Sequence, residues 1–141
     1  MTRWILDTDH LSLWQRNHPL VIERIAAIDP DQIGITIVTL EEQMRGRLAI
    51  VRQATSEMDL VLAYARLRET SLFLQQVKHL HEFSHAAYAC FTALKQQRIR
   101  IGAQDLKIAA IALSINGILV TRNQQDFSKV PELRFINWTI P

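Results

Sequence analysis

Cysteine is almost missing from this chain: Cys90 stands alone among 141 residues. No internal disulfide can form, which excludes a disulfide-stapled scaffold and fits a reducing compartment. Glycine and proline number four each, and they are scattered, so no Pro-, Gly- or Ser-rich linker, repeat or low-complexity segment divides the chain. Long apolar runs are missing too. The longest, Ile108 to Ile115, is interrupted by Ser114 and follows Lys107. It falls well short of the about 18 residues that span a bilayer. The N-terminus lacks the basic, apolar, small-residue order of a signal peptide. The expectation is one cytoplasmic domain over residues 1–141, with no membrane partner.

A strong charge of one sign is also lacking. The formal net charge is +2 and the pI about 9.0, by itself a weak pointer to a polyanionic partner. If a few acids gather in one pocket, the remaining surface is more basic than the total. Arg45, Arg47 and Arg52 form one basic cluster, and Lys95, Arg98 and Arg100 another. Each reads either as solvated surface or as a phosphate contact. What is plentiful is apolar side chain, 48% of the residues, enough for one core.

The order of elements is informative. Arg3 to Leu6 reads as a short buried strand. Thr8 to Gln15 reads as a helix with Leu11 and Trp14 inward, ended by Asn17-His18-Pro19. A second helix from His18 or Pro19 carries Val21, Ile22, Ile25 and Ile28 at helical spacing. Ile33 to Ile37 is β-branched and apolar, a strand. Leu40 to Arg52 is helical, and Met58 to Val77 continues as long helix, a hairpin of two pieces. Met58, Val61, Leu62, Ala65 and Leu72 make an apolar stripe read mainly as core, its surplus available to a dimer contact. His79 to Phe83 is a short strand, and Ser84 caps a helix from Ala86 to Gln97. Asp105 opens a helix, Leu106 to Ser114, that Asn116-Gly117 ends. Ile118 to Val120 and Arg134 to Ile136 are the last strands. Strands alternating with helices mean parallel crossovers, hence an α/β fold: a three-layer α/β/α sandwich on a mostly parallel sheet.

Sites in such sheets form at the carboxyl ends of the strands. Asp7 follows the first strand, in WILDTDH. Asn123 and Asp126 follow the strand Ile118 to Val120, in TRNQQDF. Glu42 lies early in the helix after the second strand, and Asp105 in the first turn of its own helix. With right-handed crossovers all four acids can face one cleft. Each has a plain structural explanation. Thr39 to Glu42 forms a capping box, Asp105 complements a helix dipole, Asp7 or Asp9 caps the first helix, and Asp126 organises a turn. Together they are harder to dismiss. Carboxylates on one edge repel, and their pKa values rise unless a cation joins them. Oxygen-only ligands favour Mg²⁺ or Mn²⁺ over zinc. Such an ion supports phosphodiester hydrolysis by lowering the pKa of an attacking water and neutralising phosphoryl charge.

Four blocks in order, ILDTDHLS, ITIVTLEEQMRG, IGAQDLKIAAIAL and ILVTRNQQDF, resemble a PIN-domain protein of the VapC type, the toxins of bacterial toxin–antitoxin pairs. The resemblance runs over almost the whole chain. It implies a single PIN-like domain with a parallel five-stranded sheet and a Mg²⁺- or Mn²⁺-dependent endoribonuclease. It also implies a homodimer, an RNA substrate and a small antitoxin protein that plugs the site. By position, Asp7, Glu42 and Asp105 match the family's acids. Glu42 rather than Glu41 keeps the family's distance from Thr39 and Gly46. The fourth place is Asp126, as a weaker ligand, with Asn123 and Thr121 orienting the site. Thr8 is divided between helix start and site, and Arg122 between solvated surface and substrate phosphate.

Two rival readings remain. A haloacid-dehalogenase-like phosphatase also opens on D-x-D after a strand, but it wants Thr or Val where Leu11 stands. A catalytically idle PIN-like module would bind RNA or protein, yet has no reason to keep mutually repelling acids. His79 and His81 point the same way on a strand without a third ligand for zinc. His10 is expected on an exposed helix face, and Trp4, Trp14 and Trp138 in the core or an interface.

Overall fold

Strands of only three or four residues make the sheet in the computed structural model, which describes residues 1–141. The strands are β1 (Trp4–Leu6), β2 (Ile33–Thr36), β3 (His79–His81), β4 (Ile118–Val120) and β5 (Arg134–Ile136). They form one sheet in the order β3-β2-β1-β4-β5, and every pair is parallel. Successive strand residues point to opposite faces, and the core divides accordingly. Ile5 and Leu119 join one buried cluster with Leu106, Ile108, Ile111 and Phe127. Leu6, Val120, Ile33 and Ile35 join another with Leu11, Val21 and Trp138. The sheet therefore lies between two helical layers, the α/β/α sandwich expected from the element order.

The helices are α1 (Thr8–Gln15), α2 (Pro19–Ala26), α3 (Ile37–Gln53), α4 (Glu57–Leu74), α5 (His85–Gln96), α6 (Ala103–Ser114) and α7 (Gln124–Phe127). Their ends follow local chemistry. Pro19 opens α2 behind His18, Ser84 accepts from the Ala87 amide at 3.1 Å, and Asn116 closes α6 with φ 54°. Left-handed backbone suits Asn there, just past a helix. Gly117 follows because an added Cβ would come within 2.6 Å of Ile5 Cδ1.

Three expectations need correction. First, α3 begins at Ile37 rather than near Leu40, and its cap is Thr36, whose Oγ1 accepts from the Thr39 amide at 3.0 Å. Thr39 and Glu42 thus lie inside the helix and make no capping box. The β-branched run Ile35-Thr36-Ile37-Val38 hides the change from strand to helix. Second, α4 is one uninterrupted helix, and the hairpin is the one that α3 and α4 make together. Third, its stripe faces outward: Met58 is 79% exposed and Val61 66%. The buried residues of α4 are instead Ala63, Thr70 and Leu74. Trp4 packs on Trp138 at 5.5 Å between ring centroids, and Trp14 meets Phe73 edge-on at 5.0 Å.

Strand order reverses at β1, with β2 on one side and β4 on the other. In open α/β sheets such a reversal marks the crevice, at the carboxyl ends of the strands, where ligands bind.

Candidate functional site

Asp7 is the first residue past β1 and sits at that reversal point. Its amide donates to Val120 O at 2.9 Å, tying it to the end of β4. Its carboxylate is 6% exposed as a residue and is held at both oxygens. The Thr8 amide donates to Oδ1 at 2.8 Å, and the Thr121 hydroxyl donates to Oδ2 at 2.9 Å. Asp7 is thus the N-cap of α1 and also faces the crevice. Thr121 is fully buried and is itself held by the Asn123 amide, which donates to its Oγ1 at 3.0 Å.

The other acids arrive from separate elements. Glu42 projects from α3 and Asp105 from the first turn of α6, both partly buried. The Glu42 Oε1 is buried with no hydrogen-bond partner, and so is the Thr8 hydroxyl that faces this carboxylate. The adjacent Glu41 has a different setting. It is exposed, paired with Arg45 at 2.6 Å and bonded by Gln104 Nε2 at 3.1 Å. Asp126, in α7, accepts from Asn123 Nδ2 at 3.1 Å and pairs with Lys129 at 3.6 Å. Asn123 in turn caps α7, its Oδ1 accepting from the Asp126 amide at 3.3 Å.

The electrostatics tie these groups together. Burial, then the charge of Asp9, pushes the Asp7 carboxyl up to about 7; bonds from Thr8 and Thr121 oppose this, and Asp105 adds to it. Glu42 is raised by burial and then by Asp105. Asp105 is raised by burial, then by Asp126 and Asp9. Asp105 is the common member: its charge raises both Asp7 and Glu42, and Asp126 raises Asp105. Glu41 differs: the Gln104 bond is the main reason its pKa falls.

The second acid of the opening stretch has its own task. The Trp138 amide donates to His10 Nε2 at 3.1 Å, which leaves the proton on Nδ1, and Nδ1 lies 2.7 Å from Asp9 Oδ1. Asp9 Oδ2 accepts from the Arg122 amide at 3.2 Å, and Arg122 Nε lies 3.8 Å away. His10 is fully buried, which corrects the exposed placement expected for it. The ring is paired at both nitrogens, so burial costs no unmet hydrogen bond. Its partner at Trp138 lies 128 residues along the chain, a contact without a local signal. Asp9 is the site neighbour that the residue-by-residue reading passed over as a cap. Its one clue was the D-x-D spacing. Arg122 lies beside the crevice with its side chain 53% exposed.

The donor set suits a hard divalent cation: carboxylates only, raised pKa values, and one buried carboxylate oxygen without a donor. No three His, Cys, Asp or Glu side chains stand in a ligand arrangement as the chain is seen here. His79 and His81 stack at 6.0 Å on the edge strand, also without a third ligand.

Comparison with known proteins follows the same lines. The chain is 28% identical over 138 residues to Ribonuclease VapC1 of Haemophilus influenzae strain R2866, covering 96% of this chain and 98% of that one. A shorter stretch of 48 residues is 44% identical to Ribonuclease VapC of Rickettsia bellii, about a third of each chain. Among solved structures, VapBC-1 from nontypeable H. influenzae superposes with a TM-score of 0.76 at 23% identity, covering 99% of this chain and 100% of that one. VapBC2 from Rickettsia felis, bound to a DNA fragment from their promoter, gives 0.74 at 24%, covering 97% and 99%. At these identities the structures establish the fold. The PIN domain family model matches residues 4–133, nearly the whole chain and all four acids, and the chain belongs to the PIN-domain family.

Proposed function

We propose that this chain is a Mg²⁺- or Mn²⁺-dependent endoribonuclease and the toxin of a toxin–antitoxin pair. The observation that supports this reading is the electrostatic coupling of acids from separate elements: the pKa values of Asp7, Glu42 and Asp105 are all raised, and the charge of Asp105 contributes to both of the others. The full-length likeness to proteins named Ribonuclease VapC supports the substrate class. The antitoxin partner is inferred from solved relatives described as VapBC toxin–antitoxin complexes. We also infer a homodimer and a cytoplasmic setting. No helix is long and apolar enough to cross a membrane.

Asp7, Glu42 and Asp105 would hold the ion, with Asp126 a weaker fourth ligand. When bound, it supplies a water of lowered pKa and positive charge for the phosphoryl oxygens. The chain's own residues do the rest. Thr121 and the Thr8 amide fix the Asp7 carboxylate in one orientation, so no rotamer freedom is lost when substrate arrives. Glu42 has only the Thr8 hydroxyl as a hydrogen-bonding neighbour, so little holds its carboxylate away from the crevice. A carboxylate of raised pKa is a competent acceptor for the proton of the attacking water near neutral pH. Arg122, anchored at its amide by Asp9, offers its guanidinium to a substrate phosphate at the rim.

The test is expression of the chain alone, sequencing of RNA ends, and in-vitro cleavage with and without chelator. Metal-dependent new ends, abolished by Asp7→Asn in a normally folded protein, support the reading. Equal cleavage by Asp7→Asn removes the site assignment, and RNA binding without any cleavage favours the idle binding module. A covalent aspartyl-phosphate on Asp7 would indicate the phosphatase.

A further inference from the structure

A second feature lies along the seam between α1 and α3, below the carboxylates. A cavity of about 370 Å³ opens between α1, α3 and α4, lined by Arg16, Arg47, Arg66, Gln15, Thr70 and Glu69 among others. Three guanidinium groups face one carboxylate, and neither Glu69 nor any of the three arginines has an ion-pair partner within 4 Å. Arg47 is held in place: its Nε donates to the buried Thr70 hydroxyl at 2.9 Å. Its terminal nitrogens bond nothing in the chain. The side-chain amide nitrogen of Gln15 is buried without an acceptor. The cavity is therefore a concentration of donors and positive charge with too few acceptors. Like charges gathered this way are unfavourable until an anion with several oxygens joins them.

Its position suggests which anion. Thr8, whose hydroxyl faces Glu42, and Gln15 lie seven residues apart on the same side of α1, about 10 Å along the helix axis. Arg47 is five residues beyond Glu42 on α3. Glu42 and Arg47 are thus about 7.5 Å apart along the axis of α3 and on different sides of it, and the cavity opens within a few nucleotide lengths of the carboxylates. Guanidinium forks match phosphate oxygens in pairs. A polynucleotide supplies such anions at regular intervals, whereas an acidic peptide supplies isolated carboxylates.

We propose that this cavity is a phosphate subsite that grips the backbone of single-stranded RNA a short distance from the bond cleaved at the carboxylates. It rests on the ribonuclease reading of that crevice. Arg16, Arg47 and Arg66 carry the binding, Thr70 positions Arg47, and Gln15 donates to a phosphate or ribose oxygen.

The experiment measures fluorescence anisotropy of a labelled, mixed-sequence single-stranded RNA with the full chain carrying Asp7→Asn, in chelator, over a salt series. On that background, Arg47→Gln with Arg66→Gln lowers affinity at least about tenfold, and the slope of log affinity against log salt shrinks by about 0.7 per lost contact. Arg66→Gln alone removes an exposed group that makes no bond, so it still reports if loss of the Arg47–Thr70 bond disturbs folding. Arg68→Gln, on the same helix but outside the cavity, removes the same charge and changes affinity less than about twofold. Equal losses for Arg68→Gln and Arg66→Gln would mean diffuse attraction and overturn the subsite. Unchanged RNA affinity with weakened binding of a poly-glutamate peptide would assign the cavity to a protein segment and overturn it too. Cleavage by the chain without these substitutions is assayed in parallel. A chain that cleaves RNA equally well with and without the arginine substitutions, at unchanged affinity, loses the subsite but keeps the nuclease. A chain that neither binds nor cleaves RNA loses both.

Discussion

At the amino edge of the sheet Asp31 and Lys78, the residues leading into β2 and β3, meet at 2.9 Å. The bond and charge of Lys78 hold the Asp31 carboxyl below its ordinary pKa, and Asp31 raises that of Lys78. At the carboxyl edge of the same sheet Asp7 is buried, faces other acids, and is pushed up to about 7. Both carboxylates accept hydrogen bonds. One has an opposite charge beside it in water, and the other has like charges around it and almost no water. A chain selected for stability alone would have no reason to prefer the second arrangement. The difference is the physical ground for proposing the carboxyl edge of this PIN domain as its ligand site.

The sharpest way to separate the edges is activity. Asp7→Asn should lower RNA cleavage by at least about a hundredfold, the scale of losing a positioned proton acceptor and ligand. The circular-dichroism spectrum should remain unchanged, because an Asn oxygen still accepts from the Thr8 amide. Asp31→Asn should leave cleavage as it was.

Stability separates them next, with opposite sign. In metal-free protein the folded Asp7 carboxyl binds its proton more tightly than the unfolded one, about 7 against 3.8. Its contribution therefore favours folding below about pH 4 and is lost as pH rises to about 7, on the order of 4 kcal/mol. Glu42 and Asp105 act in the same direction. Asp31 and Glu41, whose pKa values are lowered, act in the other: their contribution is present at neutral pH and lost on acidification. Thermal melts in chelator at pH 7.5, a chosen condition about half a unit above that pKa, should show Asp7→Asn melting several degrees above the parent. Added Mg²⁺ should raise the parent's midpoint there and leave it nearly unchanged near pH 4.5. A parent melting higher than Asp7→Asn at neutral pH without metal would mean that the carboxylate cluster is not under electrostatic strain.

Sheet and site were legible to different degrees, for physical reasons. Strands such as Trp4–Leu6 and Ile118–Val120 are short apolar runs bounded by polar residues, and a buried parallel strand has no other appearance. Asp7 could be placed at the carboxyl edge because it directly follows a strand, and Asp105 at a helix start because it lies in the first turn of α6. The start of α3 was obscured because Thr36 both ends β2 and caps the helix, within a β-branched run. His10 was misplaced because its burial depends on Trp138, and Arg47 was grouped with Arg45 and Arg52 because its cavity neighbours Arg16 and Arg66 come from other helices. The first is a local cap masked by β-branched neighbours, and tertiary contacts decided the other two.

The cap offers a smaller test. Thr36→Ala should cost about 1 kcal/mol by removing the acceptor for the Thr39 amide. Because α3 carries Glu42, it should also weaken metal binding slightly, whereas loss of an amino-edge contact should not. The smallest effect belongs to Lys78→Gln: the ion pair is exposed, so the melting temperature should stay within measurement scatter.

The central claim is that Asp7, Glu42 and Asp105 act together on one hard cation. Isothermal titration of Mn²⁺ into the metal-free chain near pH 7, in two buffers of different ionisation enthalpy, tests it directly. Binding with release of about half a proton is expected, because an ion must displace the proton that roughly half of the Asp7 carboxyls hold near their pKa of about 7, with loss of both in Asp7→Asn. Binding of equal strength in Asp7→Asn, or no binding by the unsubstituted chain, would contradict it.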